Sequence, residues 1–540
     1  MTSRDWVRVL YPRRWDVATL LLLTAALLYV AVSFDVHGIS NDEPVQHRYG
    51  QLLLDYYRSG FSDKRVFDYI NLKHYGGLFD MIAAGLAPHV PYDVWDLRHL
   101  LTGLFGLSGL VAVAWLGRLL GGARTGYLAA LLLALCGSWS GAMFTHTKDI
   151  PFAAATIWSI AFSTCLLQQL PRPRWGIIAG TGIAMGCALG LRYGGILLPG
   201  YLGLCLLLAL ARGLPWHALL RLWPIPVITV ALMGFFWPWS VTGWDHFLIT
   251  ARAFSHYDFD LKTLLDGVYV PAREIPTSYL FQYLLRTLPE VFLWGLGVSL
   301  LLGFVRLFRR GPGPANVLYL APLMLSLLVP FAIVVLTRPA LYNGLRHFTF
   351  VLPSLAVFSA VGLDRLSARL ASRPRVRAAL AAIMVLLALD AAALMWRLHP
   401  YEYVAYNRLS GGVAAAYGRW ELDYWSDGLR ELALKLNALV ERADVADPER
   451  RYLVAICAEP VQGMHYLDRR FAATKDWPRA DFFLTSTSTR CDRALEGEVV
   501  ATVEREGVPL ALIKDRRQLE HHERGVRDDD GNVTPPPPSP

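Results

Sequence analysis

Four short polar stretches interrupt a largely apolar chain, and each carries groups able to move a proton or hold an anion. The stretch "NDEP" sets Asp42 beside Glu43, and "THTKD" supplies His146, Lys148 and Asp149. "LRYGG" contributes Arg192 and Tyr193, and "NGLRH" ends on Arg346 and His347. A carboxylate such as Asp42 can take the proton of an acceptor hydroxyl or amine as general base. Arg, Lys and His can hold a phosphate leaving group and neutralise the charge that grows on it. Group transfer from a lipid phosphate fits that division of labour. Paired acids are also compatible with a bound divalent metal ion, although no ligand set of defined geometry can be read from the sequence.

The elements that must bring these stretches together are helices crossing a bilayer. The 540 residues are 54% hydrophobic and 18% charged, with mean hydropathy +0.34, which excludes an ordinary soluble protein. A bilayer core takes about 20 apolar residues in helix, because a helix satisfies its own peptide groups where water cannot. Runs of that kind fall at 17–34, 100–117, 125–144, 150–169, 176–191, 195–211, 222–240, 291–307, 316–336, 348–363 and 376–396. The predicted fold is an α-helical polytopic membrane protein of about 11 transmembrane helices over residues 1–397. A small extracytoplasmic α/β domain follows over 398–518, then a Pro-rich, disordered tail over 519–540.

The formal charge of +8 has a simple origin in this setting, since cytoplasmic loops accumulate Lys and Arg for orientation alone. Nucleic acid is not an expected partner; membrane lipids are. With the N-terminus cytoplasmic, the inner segments carry Arg4, Arg8, Arg13 and Arg14, then pairs such as Arg172 and Arg174, and finally Arg365 to Arg377. The N-terminal run, basic and without a small-residue cleavage site, reads as an uncleaved signal anchor. An odd number of spans leaves the segment after residue 397 outside, on the same face as the loop 35–99 and all four polar stretches. Carboxylates and cations at membrane depth are costly, so their gathering at one face marks a site, whereas any one of them alone is only a polar turn.

The outer segments are patterned rather than featureless. "VQHRYGQLLLDYYRSG" and "YGGLFDMIAAGLA" read as short amphipathic helices, and "TSYLFQYLLRTL" as a surface helix. Beyond the last span, "YLVAIC", "DFFLTST" and the pair "VVATVE"/"VPLALIK" read as strands, with a helix in "DGLRELALKLNALVERA". Of six cysteines, only Cys457 and Cys491 lie in polar sequence, where a disulfide would require an extracytoplasmic setting. No CxxC or Cys/His pattern of zinc spacing occurs. Asp390 falls inside the last span and is expected to pair with an Arg of a neighbouring helix. The aromatic stretch His399 to Trp425 anchors at the interface or borders a cavity, and it ends in Glu421 and Asp423, which an anchor does not need.

"NDEPVQHRYGQLLLDYYRSG" resembles the first extracytoplasmic loop of the GT-C glycosyltransferases, in the branch of the protein O-mannosyltransferases and lipid A aminoarabinose transferases. "HTKDIPFAA", "LRYGGILLP" and "LRHFTFVLP" resemble, in order, that branch's second outer loop, a turn carrying a cation and Gly, and the Arg-containing start of a late helix. The resemblance covers approximately residues 15–365. It implies an inverting transferase in the plasma (inner) membrane that takes a sugar from a polyprenyl-phosphate donor to a lipid, glycan or protein acceptor. Asp42 matches the catalytic acid/base position, with Glu43 and Asp149 as supporting or metal-contacting carboxylates. His146, Lys148, Arg192, Tyr193, Arg346 and His347 fall to substrate binding. Arg192 stands where the aminoarabinose transferases commonly have Lys, and the first loop lacks their Lys-Pro-Pro element, so neither sugar nor acceptor carries over. A transporter or flippase of a lipid-linked saccharide is the competing reading. Such proteins tend to place polar groups near the midplane on broken helices, and here they lie mainly in outer loops.

Overall fold

Long runs of Leu, Ala and Val with few charges can satisfy their peptide groups in lipid only as helices, and helices are what they form. The computed structural model describes residues 14–255, 261–309, 314–443, 450–519, 526–527 and 533–534. Among these, eight helices are long and apolar enough to cross a bilayer: Arg14–Ser33, Val94–Gly121, Asp149–Gln168, Tyr193–Ala211, Trp216–Phe236, Val317–Thr337, Arg346–Arg369 and Pro374–Leu398. The runs at 176–191 and 291–307 are shorter apolar helices, Trp175–Leu189 and Glu290–Val305. The chain is thus a multi-pass integral membrane protein. Most of the tail over 519–540, most of the basic N-terminus and His256 to Asp260 lie outside the described residues.

One expected span is not a single helix. Ala123–Ala134 and Gly137–Thr145 meet at 75°, because Cys136 leaves the helical region, with ψ at 111°. What fills the bend is the chain after the last span. A Cβ on Gly137 would lie 2.2 Å from the Glu402 carbonyl oxygen, and one on Gly141 2.2 Å from the Tyr403 amide nitrogen. Only glycine admits that approach, and the break aims residues 145–149 at the outer loops.

Asp149–Gln168 is the central helix, buried along nearly its whole length. Its small residues, Ala153, Ala154, Ser159, Ala161 and Ser163, let neighbours come close, as helix association in lipid requires. Pro374–Leu398, by contrast, buries only Ala391 and Leu398. Asp390 on that helix pairs with Arg408, Nε to Oδ2 at 2.7 Å. The partner comes from the turn Arg408–Ser410 rather than from a neighbouring helix, because the chain folds straight back over the span's outer end.

The first outer segment contains the two expected helices, Glu43–Arg58 and Leu78–Leu86. Tyr49, Leu52, Leu53 and Tyr56 form the buried face of the first. A Cβ on Gly50 would meet the Asp80 carbonyl oxygen at 2.2 Å, so glycine sets the spacing of the pair. The stretch expected as a surface helix, Tyr279–Thr287, buries Tyr279, Leu280, Tyr283 and Leu284. Ahead of it lies a hairpin not expected from the sequence, β1 (Lys262–Leu265) with β2 (Val268–Pro271). Its turn, Asp266–Gly267, has positive φ at both residues, the signature of a type I′ hairpin.

The C-terminal part forms a five-stranded sheet. β3 (Tyr452–Cys457), β4 (Phe471–Ala473) and β5 (Phe482–Ser486) are parallel, and β6 (Glu498–Arg505) and β7 (Val508–Asp515) add antiparallel, in the order β4-β3-β5-β7-β6. The helix Leu429–Ala443 covers it with Leu429, Leu432, Ala433, Leu436 and Val440, an apolar stripe at helical spacing. β4 is too short to have been read from pattern. Cys457 and Cys491 form a disulfide, their Cα atoms 6.4 Å apart. The Gln462 side chain donates to the Ile39 carbonyl at 2.6 Å and to that of Trp425 at 2.9 Å, tying the sheet to the first loop.

Candidate active site

Each of the four polar stretches ends where a helix begins. Asp42 is the N-cap of Glu43–Arg58, Asp149 the first residue of Asp149–Gln168, and Arg192 the residue before Tyr193–Ile196 and Leu197–Ala211. Arg346 opens the turn Arg346–Val351 that leads into Leu352–Arg369. Helix starts present unpaired N–H groups and the positive end of the dipole, so their convergence favours an anion.

The side chains at these starts meet. Arg346 pairs with Asp42 and, through Nε at 3.2 Å, with Asp149. Asp149 also takes Arg192, and Lys148 Nζ lies 2.8 Å from Asp42 Oδ2. Three cations therefore share two carboxylates, leaving the cluster positive. The side chains of Asp42 and Lys148 are 31% and 21% exposed, against 6% and 2% for Arg346 and Asp149, so Asp42 and Lys148 face the opening while the other pair forms the floor. Burial opposes the charge of Asp42, but Arg346 and Lys148 outweigh it and hold the carboxyl well below the usual carboxylate range.

The neighbouring acid goes elsewhere. Glu43 accepts from the Ser40 amide at 2.8 Å and hydroxyl at 3.1 Å, which holds the chain just ahead of its own helix. Its carboxylate lies 3.2 Å from His99 Nε2 and 3.5 Å from Arg98 Nε. Arg98 in turn reaches Asp80 at 3.0 Å and Gln46 at 3.3 Å. Adjacent in sequence, Asp42 and Glu43 thus enter separate networks, because successive residues at a helix start point in different directions. Arg98 and His99 are not among the residues expected from the sequence. Their helix starts at Val94, six residues before the predicted run, and a buried charge inside a span is the signal that would have marked them.

His146 is brought to the cluster's edge, with Nε2 2.7 Å from the Tyr424 hydroxyl and 3.0 Å from the Trp425 indole nitrogen. Burial pushes its pKa down to about 3, so it is neutral and acts as a hydrogen-bonding group rather than a cation. His347 faces Tyr342 edge-on at 4.6 Å. Tyr193 turns its ring to Phe247, 4.8 Å between centroids. Trp425 is the largest addition to the predicted set. Arg346 lies 4.0 Å over its ring, a cation-π contact that orients the guanidinium. The aromatic stretch after the last span therefore borders the site: Tyr403, Tyr406, Glu421 and Tyr424 line a cavity of about 20 Å3 with His146 and Arg346. Asp423 turns instead to Tyr403 and the Gly428 amide.

No family profile matches this chain, and no curated protein does. Solved structures do. ArnT from Cupriavidus metallidurans bound to undecaprenyl phosphate is 18% identical, with 95% of this chain and 98% of that one covered at a TM-score of 0.48. The oligosaccharyltransferase from Archaeoglobus fulgidus in the apo form is 13% identical, over 87% of this chain and 69% of that one, also at 0.48. The arabinofuranosyltransferase AftD from Mycobacteria is 13% identical at 0.44, over 95% of this chain and 40% of its own. These neighbours are GT-C membrane glycosyltransferases. Among the described residues, no group of three His, Cys, Asp or Glu side chains converges as a metal site. Asp42 and Asp149 are each bonded to cations, so the donor set present does not fit a resident divalent ion.

Proposed function

We propose that the chain is a glycosyltransferase that moves a sugar from a polyprenyl-phosphate donor to an acceptor at the extracytoplasmic face of the plasma membrane. The observation that carries this reading is the excess of one cation over the carboxylates at four converging helix starts. A phosphate diester supplies the missing negative charge, and its prenyl tail stays in the lipid around the bundle. The uniform bias of Arg toward the opposite loops and the Cys457–Cys491 disulfide support the extracytoplasmic side.

In this reading the acceptor oxygen attacks the anomeric carbon, a new carbon–oxygen bond forms, and the bond from that carbon to the phosphate oxygen breaks. The leaving phosphate departs with the electron pair, held by Arg346, Lys148 and Arg192, and the acceptor proton passes to Asp42. Without donor, Asp42 and Asp149 occupy the positions around the cations that phosphate oxygens would take. Donor binding draws Arg346 and Lys148 toward the phosphate, which raises the basicity of Asp42 when a base is needed. Glu43, locked to His99 and Arg98, holds the helix start that aims Asp42. The transporter reading has less support, because the charged groups gather at helix ends rather than at the middle of spans.

The test is to incubate the purified protein with a panel of polyprenyl-phosphate sugars and measure free polyprenyl phosphate. Release from one donor is the expected result; release from none, with protein that is folded and lipid-bound, overturns the proposal.

A further inference from the structure

Trp425 is gripped from two sides. Its indole N–H points at the His146 ring, 3.0 Å from Nε2 and 3.2 Å from Nδ1, where the bent span gives way to the central helix. Its backbone carbonyl accepts from the Gln462 side chain at 2.9 Å, and Gln462 belongs to the C-terminal domain, on the short helix Val461–Met464 after β3. The ring held between these two contacts is the one that lies 4.0 Å from the Arg346 guanidinium.

Gln462 is fully buried, and its amide has one orientation that satisfies its neighbours. The oxygen accepts from the Glu459 amide at 3.0 Å, so the nitrogen faces two carbonyls, that of Trp425 and that of Ile39 at 2.6 Å. Ile39 stands three residues ahead of Asp42. One side chain of the domain thus fixes both the backbone that carries the ring and the backbone that leads to the helix start of Asp42. The domain has a second anchorage made by other residues. Arg505 Nε donates to the His399 carbonyl at 3.0 Å, and its Nη2 to Glu431 at 3.0 Å, at the outer end of the last span.

A guanidinium grips an anion through N–H groups in one plane, so its use depends on how that plane is turned, and an aromatic face laid over it fixes the turn. We infer that Gln462 is a positioning residue for the lipid-phosphate site, and that the C-terminal domain acts on the donor through it. Gln462 sets Trp425, and Trp425 sets the plane in which Arg346 meets the phosphate. The inference rests on the proposed reading of Arg346 as a donor-phosphate ligand.

The test titrates undecaprenyl phosphate into full-length protein in nanodiscs, which reports phosphate binding without any sugar transfer. Gln462→Met, close in volume but without the amide, is expected to weaken binding at least threefold. Gln462→Glu, which turns an acceptor toward the same two carbonyls, is expected to do the same. Trp425→Leu should cost at least tenfold, and Trp425→Phe, which keeps a ring but not the indole N–H, less. Each loss is expected to disappear once Arg346 is alanine, because residues that act through one another are not additive. Arg505→Ala is expected to leave the affinity within about twofold. Wild-type affinity in both Gln462 variants overturns the inference. So does a loss of the same size with and without Arg346, or an equal loss in Arg505→Ala, since either shows that Gln462 merely holds the domain in place. A wild type that binds undecaprenyl phosphate yet turns over no sugar donor overturns the transferase reading alone, and one that does not bind it overturns both.

Discussion

Asp42 and Arg346 stand 304 residues apart in the chain and form a direct ion pair at the start of two helices. The pair joins the first outer loop to the start of a late span, and Asp149 on the central helix closes it from beneath through Arg346. A removable contact at such a junction can be tested from either side.

Asp42→Asn is expected to abolish transfer. The amide keeps the volume and a hydrogen bond to Lys148 but cannot accept the acceptor's proton. Circular dichroism and elution in detergent should match wild type. Retained turnover would remove Asp42 from the base role.

Arg346→Ala should weaken donor binding by a factor of ten or more, and Arg346→Lys should recover only part of it. A guanidinium can bond two partners in a fixed plane and stack on Trp425, whereas an ammonium is a point charge. Titration of the prenyl-phosphate donor against each variant measures this, and equal affinities would dissociate Arg346 from the phosphate.

The pH profiles should differ between the free and donor-bound protein. In the free protein the two cations hold Asp42 below the usual carboxylate range, so the acidic limb of kcat/KM should fall at unusually low pH. A bound phosphate competes for those cations, so the acidic limb of kcat should lie higher. Coincident limbs in a profile from pH 3 to 8 would show that the donor leaves the cations where they are.

Glu421 gives a stability test with the opposite sign. Burial pushes its carboxyl up to about 7, against the pull of bonds from Leu264 and Thr263. The folded state therefore keeps a proton that the unfolded state releases above its ordinary value of about 4.5. Stability from this group is full below that value and is lost as pH rises toward 7. Glu421→Gln, which can still accept both bonds, should melt like wild type at pH 4 and several degrees higher at pH 8. Equal melting at both values would show that the carboxyl ionises normally.

Apolar run length alone marked the spans, because a bilayer leaves the backbone no alternative to helix. The paired apolar runs of β6 and β7, split at Arg505 to Gly507, and the stripe on Leu429–Ala443 marked the C-terminal elements in the same local way. The members of the charged cluster were legible too, since Arg and Asp at the edge of lipid are costly enough to be conspicuous. Their partners were not. That Asp42 meets Arg346 while Glu43 meets His99, that Trp425 lies over the guanidinium, and that a span bends by 75° to receive Glu402 and Tyr403 depend on contacts between residues hundreds of positions apart. Burial and periodicity are properties of a segment, and sequence records them; which polar group faces which is a property of how segments pack, and only the tertiary structure fixes it.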